Sequence, residues 1–189
     1  MTTQAITMAF IDRLREAVRS RDVEVITQRI KHELEELIPV EGLILPERFR
    51  QPRADTYARR LLHHDAELDF TAVVMTWGPS QRTALHDHAG IWCVEGVLEG
   101  EIEVTRYALQ EEREDGLYRF AVRDITHAYA GSAGALIPPI EHHVLANSKP
   151  DEIALTLHVY GGDMDHCSIF EPVGDNLYSK QLKTLSYTE

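Results

Sequence analysis

The chain has 189 residues, of which 43% are hydrophobic, and a formal net charge of −12 at pH 7. These values predict a globular protein of one domain, residues 1–189, with a buried core. They argue against nucleic acid as a partner, because phosphate binding requires clustered basic residues, and against the membrane, because no apolar run approaches the ~18 residues of a span. Two cysteines do not make a disulfide framework, so the expected compartment is the reducing cytoplasm.

The amino-terminal part of the chain is predicted to be helical. Apolar residues recur at four-residue steps, first from Ile6 to Val18 and then from Ile26 to Leu34, which is typical of amphipathic helices. Arg21-Asp22 is expected to divide this segment into two helices. We interpret residues 1–40 as a helical arm that packs on a sheet.

From Asp69 onward the apolar pattern changes to a period of two, which is typical of β-strands. The buried strand FTAVVMTW is followed by several short strands with turn signals between them, and EIALTLHVY is the last. Short strands at a spacing of about 8–12 residues favour a β-barrel or a sandwich. The acidic run Gln110 to Asp115 is expected to be a solvated hairpin tip.

The stretch TALHDHAGIWCVEG contains an H-x-H pair, His86 and His88. In a strand, residues two apart point to the same face, so both imidazoles can reach one metal ion while Asp87 faces away. The pair alone is weak support for a metal site, because a histidine-rich β protein contains such pairs by chance.

Two further spacings extend this pattern. Gly100 follows His88 by twelve residues at a hairpin-like break, and downstream His143 stands five residues after Pro138 and four before Asn147. These two groups of residues resemble the two sequence motifs of the cupin superfamily.

The cupin resemblance implies a mainly β protein, in which a jelly-roll-type β-barrel at residues 55–172 follows the helical arm along the chain. His143 is preferred over its neighbour His142 because it fits the spacing to both the proline and the asparagine. Ile140 replaces the glycine of the second motif, and Cys93 replaces the glutamate that is usually the fourth ligand. The implied metal ligands are His86, His88 and His143.

A site with three histidines and no carboxylate ligand is similar, within the superfamily, to that of the thiol dioxygenases, of which cysteine dioxygenase is the best known. Tyr57-Ala58-Arg59 resembles the Tyr-x-Arg of that family, which binds the substrate carboxylate, and Arg60 is an alternative to Arg59. The resemblance implies Fe(II) as the cofactor, O2 and a small thiol-bearing carboxylic acid as substrates, and a sulfinic acid as the product.

Three polar residues of the last strand, Thr156, His158 and Tyr160, resemble the Ser-x-His-x-Tyr catalytic relay of the same family. Along EIALTLHVY they occupy one face, opposite the aliphatic residues. This face lies either in water or along the lumen of a barrel, where the three side chains can form a hydrogen-bonded chain. The resemblance favours the lumen.

Cys93 allows two interpretations. In animal cysteine dioxygenases the cysteine at this position forms a thioether with the relay tyrosine, so a Cys93–Tyr160 bond would be part of the catalytic site. Alternatively, Cys93 is a small buried apolar residue, as free cysteine often is.

The sequence also departs from the animal enzymes, since Gly161-Gly162-Asp163 replaces their Ser-Pro-Pro after the relay. Tyr57 and Arg59 favour cysteine as the substrate, with 3-mercaptopropionate and mercaptosuccinate as alternatives. The Gly-Gly-Asp segment and the adjacent Arg60 keep mercaptosuccinate, a dicarboxylate, among the candidates. Two other hypotheses are a different metal cupin, such as a diketone dioxygenase or an isomerase, and a non-catalytic cupin that binds a ligand. A monomer or small homo-oligomer is expected.

Overall fold

The structure is a computed structural model that describes residues 3–40 and 45–189. Within them the chain forms two α-helices, a 3₁₀ turn at Glu47–Arg50 and eleven β-strands. The helices are α1 (Thr3–Ala17) and α2 (Val23–Val40). The strands are β1 (Ala58–Asp65), β2 (Phe70–Trp77), β3 (Leu85–His86), β4 (Cys93–Glu99), β5 (Glu101–Glu112), β6 (Leu117–Tyr129), β7 (Ala133–Leu136), β8 (His143–Ala146), β9 (Ala154–Tyr160), β10 (His166–Gly174) and β11 (Leu177–Thr184).

The two predicted helices and the break between them are confirmed. Asp22 causes the break, because its carboxylate accepts hydrogen bonds from the backbone N–H groups of Glu24 and Val25, at 2.9 and 3.3 Å, and so caps α2. Apolar side chains of both helices, such as Leu14 and Ile30, are fully buried against a sheet. No helix in the described part of the chain is long and apolar enough to cross a membrane.

The sheet beneath the helices has five antiparallel strands in the order β1-β2-β9-β4-β7. Its neighbouring strands β2 and β9 are buried on both faces, so all eight residues of β2 and all seven of β9 are buried. Along β2, Phe70 and Val74 pack toward the helices, whereas Met75 and Trp77 point into the interior between the two sheets. This interior is the barrel lumen.

The second sheet follows the order β10-β11-β6-β5-β8-β3 and closes on itself, because β3 pairs with β10. Strands β5 and β6 form a long hairpin whose tip includes the exposed acidic run 110–115, as expected. The architecture is mainly β with an amino-terminal pair of helices, which confirms the predicted fold class. The assignment of all 189 residues to one domain stays a prediction.

The chain does not form a hairpin at Gly100, although the sequence suggested a hairpin-like break there. Gly100 joins β4 of the first sheet to β5 of the second, so the chain crosses between the sheets there. Its φ is +77°, and a Cβ atom would lie 2.8 Å from the carbonyl oxygen of Ile153. Both facts require glycine at this crossing.

Candidate active site

Three histidines, His86, His88 and His143, converge in the lumen, and we call them the histidine triad. His86 and His143 are partners in the β3–β8 pair, with their Nε2 atoms 3.2 Å apart. Strand β3 ends at His86, so His88 lies just beyond it rather than within the predicted strand. Its ring nevertheless lies 5.2 and 5.0 Å from the other two rings, centroid to centroid. One nitrogen from each ring can therefore bind the same metal ion.

Each triad histidine has an oxygen atom beside its Nδ1. These atoms are Ala84 O, Glu141 Oε2 and Glu95 Oε1, at 3.0, 3.3 and 3.5 Å from Nδ1 of His86, His88 and His143 respectively. Only the contact of His86 is a hydrogen bond, and Nδ1 of His88 and of His143 has no hydrogen-bond partner among the described residues. Oxygen atoms in these positions favour the proton on Nδ1, as they do in metal-binding histidines. The Nε2 atoms are then free to face one another across the metal position.

Burial lowers the pKa of His86 and of His143 well below the usual value, and the neighbouring imidazoles lower both further. Both rings are therefore neutral near pH 7, which is the form that binds a metal. A donor set of three imidazole nitrogens in the lumen suits a divalent first-row transition metal. The residues present thus fit a metal.

Sequence reasoning missed the two carboxylates of this site, Glu95 and Glu141. Glu141 also accepts a hydrogen bond from the backbone N–H of His88 at 2.7 Å. The period of two in β4 offered a signal for Glu95, which stands two residues after Cys93 and so shares its face. Glu141 stands two residues before His143, but the strand begins only at His143.

The polar face of β9 lies in the lumen, so the alternative in which it faces water is wrong: all seven residues of β9 are buried. Trp77 Nε1 donates a hydrogen bond to Thr156 Oγ1 at 2.9 Å, and Thr156 Oγ1 lies 2.8 Å from His158 Nε2. The threonine oxygen accepts from the indole and, through its remaining lone pair or its proton, can pair with either tautomer of His158. Glu95, 3.4 Å from Nδ1 of His158, favours the tautomer with the proton on Nδ1, in which the threonine hydroxyl donates to Nε2.

The last link of the predicted relay, from His158 to Tyr160, is a ring contact and not a hydrogen bond. The Tyr160 ring stacks on His158 with centroids 6.0 Å apart and planes at 16°, and these two side chains form no hydrogen bond. Burial lowers the pKa of His158 to about 3 and raises the pKa of Tyr160 well above its usual value. Both side chains are therefore neutral near pH 7.

Cys93 is fully buried and directly opposite Tyr160 in the β4–β9 pair. Opposite residues of antiparallel strands share a face, with Cβ atoms about 4.5–5.5 Å apart. Burial raises the pKa of the Cys93 thiol well above its usual value, so the thiol is protonated. The placement is compatible with a thioether and equally with a packed thiol.

A small cavity adjoins the triad, and we call it the arginine cavity. Its lining includes Tyr57, Arg59, His86, His158, Tyr160 and Lys183. Arg59 is 5% exposed and donates to the carbonyl oxygens of Met164 and Ser186, at 3.0 and 3.3 Å. Its Nε has no partner among the described residues. A buried guanidinium with an unused donor is suited to bind a carboxylate.

Arg60 is not in this cavity. Adjacent residues of a strand point to opposite faces, and Arg60 lies on the helix side of β1, where it donates to Thr76 Oγ1 at 3.3 Å. His142 also lies away from the site, against the rings of Phe120 and Phe170. Arg59 and His143 therefore both lie at the candidate site, whereas their sequence neighbours Arg60 and His142 do not.

The segment after β11 covers Arg59 and was not foreseen from the sequence. The backbone N–H of Arg59 donates to Thr188 Oγ1 at 3.2 Å, and its guanidinium lies 5.4 Å from the centre of the Tyr187 ring. Tyr187 in turn donates to Asp163 Oδ1 at 3.0 Å. This segment thus fixes the position of the arginine.

Residues 47–172 match the model of the family described as cysteine dioxygenase type I. Cysteine dioxygenase type 1 of Homo sapiens is 24% identical over 105 residues, which are 54% of this chain and 50% of the human protein. The protein of the same name from Bos taurus gives the same figures. The chain spans about half the length of the curated relatives it matches.

Among solved structures, a protein of Klebsiella pneumoniae with a double-stranded β-helix domain has a TM-score of 0.48 and 22% identity, over 65% of this chain and 86% of that one. A protein of Thermus thermophilus has a TM-score of 0.47 and 20% identity, over 62% and 94%. The sequence match covers residues 47–172, well over half of the chain, and includes the histidine triad and Arg59, so the chain belongs to the cysteine dioxygenase type I family.

Proposed function

We propose that the protein is a non-haem iron thiol dioxygenase. It adds both oxygen atoms of O2 to the sulfur of a small thiol-bearing carboxylic acid, cysteine or a close analogue, and releases the sulfinic acid. The observation that carries this proposal is the buried Arg59, with an unused donor, in a cavity that also exposes His86 of the triad. The alternatives, another metal cupin or a non-catalytic cupin, do not account for this arginine.

The triad would hold Fe(II), which supplies the redox chemistry that couples O2 to a thiolate sulfur. The protein's part is to position the substrate. Arg59 holds the carboxylate by charge-assisted hydrogen bonds, with Tyr57 beside it in the same lining. The thiol would thereby lie beside the histidine triad, and such positioning supplies much of a rate enhancement. The neutral hydroxyl of Tyr160, which also lines the cavity, can donate a hydrogen bond to the reacting groups.

The charges in the arginine cavity support an anionic substrate. Arg59 and Lys183 line it, and no aspartate or glutamate does so among the described residues. Arg60 faces away and does not support a second carboxylate, but Lys183 favours mercaptosuccinate as a second candidate. 3-Mercaptopropionate would use Arg59 alone. The Cys93–Tyr160 thioether and the cytoplasmic location remain proposals.

Oxygen uptake tests this function. The iron-loaded protein is supplied with cysteine, 3-mercaptopropionate, mercaptosuccinate and, as a control without a carboxylate, cysteamine. We expect one O2 to be consumed per sulfinate formed, with a thiol acid preferred over cysteamine. His86→Ala serves as the metal-site control. If no thiol acid supports uptake by protein that contains iron, the proposal is wrong.

A further inference from the structure

A second cavity of about 250 Å³ lies in the lumen, open between β7 and the β5–β6 hairpin. We call it the apolar chamber. The side chains that define it are mostly hydrophobic: Val97, Ile102, Val104, Ala128, Leu136 and Leu145. Exposed residues at its edge, among them Gly134, connect it to solvent.

The chamber and the arginine cavity share a wall. Leu145 lines both cavities and stands two residues after His143 in β8, so it projects from the same face as this triad residue. The wall continues in β9, where Thr156 lines the chamber and its hydrogen-bond partner His158 lines the arginine cavity. The chamber therefore lies one side chain away from the triad: Leu145 separates it from the arginine cavity, and Glu95, which lines it, lies 3.5 Å from Nδ1 of His143.

The charges of the chamber do not suit a carboxylate. Arg106 and His127, its two basic residues, are engaged with Asp124 at 2.8 Å and with Glu101 at 2.7 Å. The carboxylate of Glu95 also borders it and would repel an anion. The occupant that fits is small, uncharged and apolar.

We propose that the apolar chamber is the access route and holding site for dioxygen, separate from the cavity that takes the thiol acid. This inference rests on the proposed function. An apolar gas is driven from water into an apolar space, and the chamber brings it to Leu145, beside the triad. The thiol acid can then occupy the arginine cavity without closing the path of the gas.

Gly134 offers a way to fill the chamber without disturbing the fold. It lies on β7 directly opposite Glu95, and a Cβ atom added there would meet no atom within 4 Å. Gly134→Leu should therefore occupy the chamber. Gly134→Ala is the matched small change, and Ala121→Leu places the same side chain at an exposed position on β6.

The first test is steady-state oxygen uptake at varied O2. Gly134→Leu should raise KM for O2 severalfold and leave KM for the thiol unchanged, whereas Gly134→Ala and Ala121→Leu should behave like the wild type. An unchanged KM for O2 in Gly134→Leu would overturn the inference. So would a raised KM for the thiol alone, because the chamber would then belong to the thiol.

The second test does not depend on turnover. Crystals of the wild-type protein under xenon pressure should show a xenon atom in the chamber, and crystals of Gly134→Leu should not. Absence of xenon from the wild-type chamber would overturn the inference while oxygen uptake still supports the proposed function. If no thiol supports uptake, the proposed function fails and the dioxygen route fails with it.

Discussion

At the scale of single residues, Arg59 is the expected carboxylate-binding residue because its side chain points into the arginine cavity. Arg59→Ala should raise KM for a thiol acid about 10- to 150-fold, because losing a charge-assisted contact costs about 1.5–3 kcal/mol. KM for cysteamine, which has no carboxylate, should change little. Arg60→Ala is the matched control, since its side chain contacts Thr76 on the other face of β1. Equal and small effects of both substitutions on KM would show that another cation binds the carboxylate.

The carboxylates beside the triad lead to a second prediction. Glu141→Gln keeps an oxygen that can accept the His88 backbone N–H but removes the charge beside the imidazole. It should weaken binding of Co²⁺ about 10- to 100-fold, as loss of such partners typically does. Competition with a chelator measures this without any turnover. Glu171→Gln, at an exposed position, should bind Co²⁺ like the wild type, and an unchanged affinity of Glu141→Gln would contradict the assignment.

Cys93 and Tyr160 give a third prediction. If they join, a C–S bond forms while two hydrogen atoms leave as protons and electrons that pass to dioxygen. Intact-mass spectrometry should then show a chain lighter by two hydrogens, in a fraction that grows with turnover. Cys93→Ser should abolish this form and slow the enzyme without inactivating it, because the bond fixes the tyrosine rotamer rather than creating the site. An unchanged mass after many turnovers would leave Cys93 as a packing residue.

At the scale of secondary structure, the crossing between the sheets depends on Gly100. Gly100→Ala should lower the free energy of unfolding by more than the ~1–2 kcal/mol of a left-handed backbone alone, because the new methyl group would meet Ile153 O. Gly116→Ala isolates the backbone part, since Gly116 has φ +79° and open space around it. Urea unfolding measures both. Equal losses would mean that the contact with Ile153 relaxes freely.

The strands show which features of the site could be predicted from the sequence. The period of two in β9 correctly grouped Thr156, His158 and Tyr160 on one face, because that pattern is local. It could not decide whether water or another sheet covers that face, since the cover comes from strands elsewhere in the chain. The sequence found the three triad histidines through their spacing. It could not find the oxygens of Glu95 and Glu141, because their distances depend on how β4 and β8 come together.

At the scale of the whole molecule, the longest contacts were the least predictable. The segment that holds Arg59 lies about 130 residues away along the chain, at Ser186 and Thr188. No periodicity connects such distant residues. The choice between Arg59 and Arg60 therefore required the folded structure, although both were candidates from the sequence.

The buried histidines make the stability of the whole metal-free protein dependent on pH. Burial lowers the pKa of His158 to about 3 and that of His86 and His143 well below the usual value. In the unfolded chain these residues titrate near ~6.5, so the unfolded state binds protons that the folded state excludes. Their contribution is therefore complete above about pH 6.5 and is lost as the pH falls toward the folded pKa values. Glu95, whose pKa is raised by burial, has the opposite effect on the pH dependence. It is a single group, however, whereas three histidines act in the first direction.

We therefore expect the free energy of unfolding of the metal-free protein to fall between about pH 6.5 and pH 4, with a slope of up to about 1.4 kcal/mol per pH unit for each histidine. Urea unfolding at several pH values measures it. A bound metal requires neutral imidazoles and should shift the loss to lower pH. His158→Gln should flatten the slope, whereas His32→Gln, at an exposed position of α2, should leave it unchanged. A metal-free protein equally stable across this range would contradict the burial of neutral histidines in the lumen.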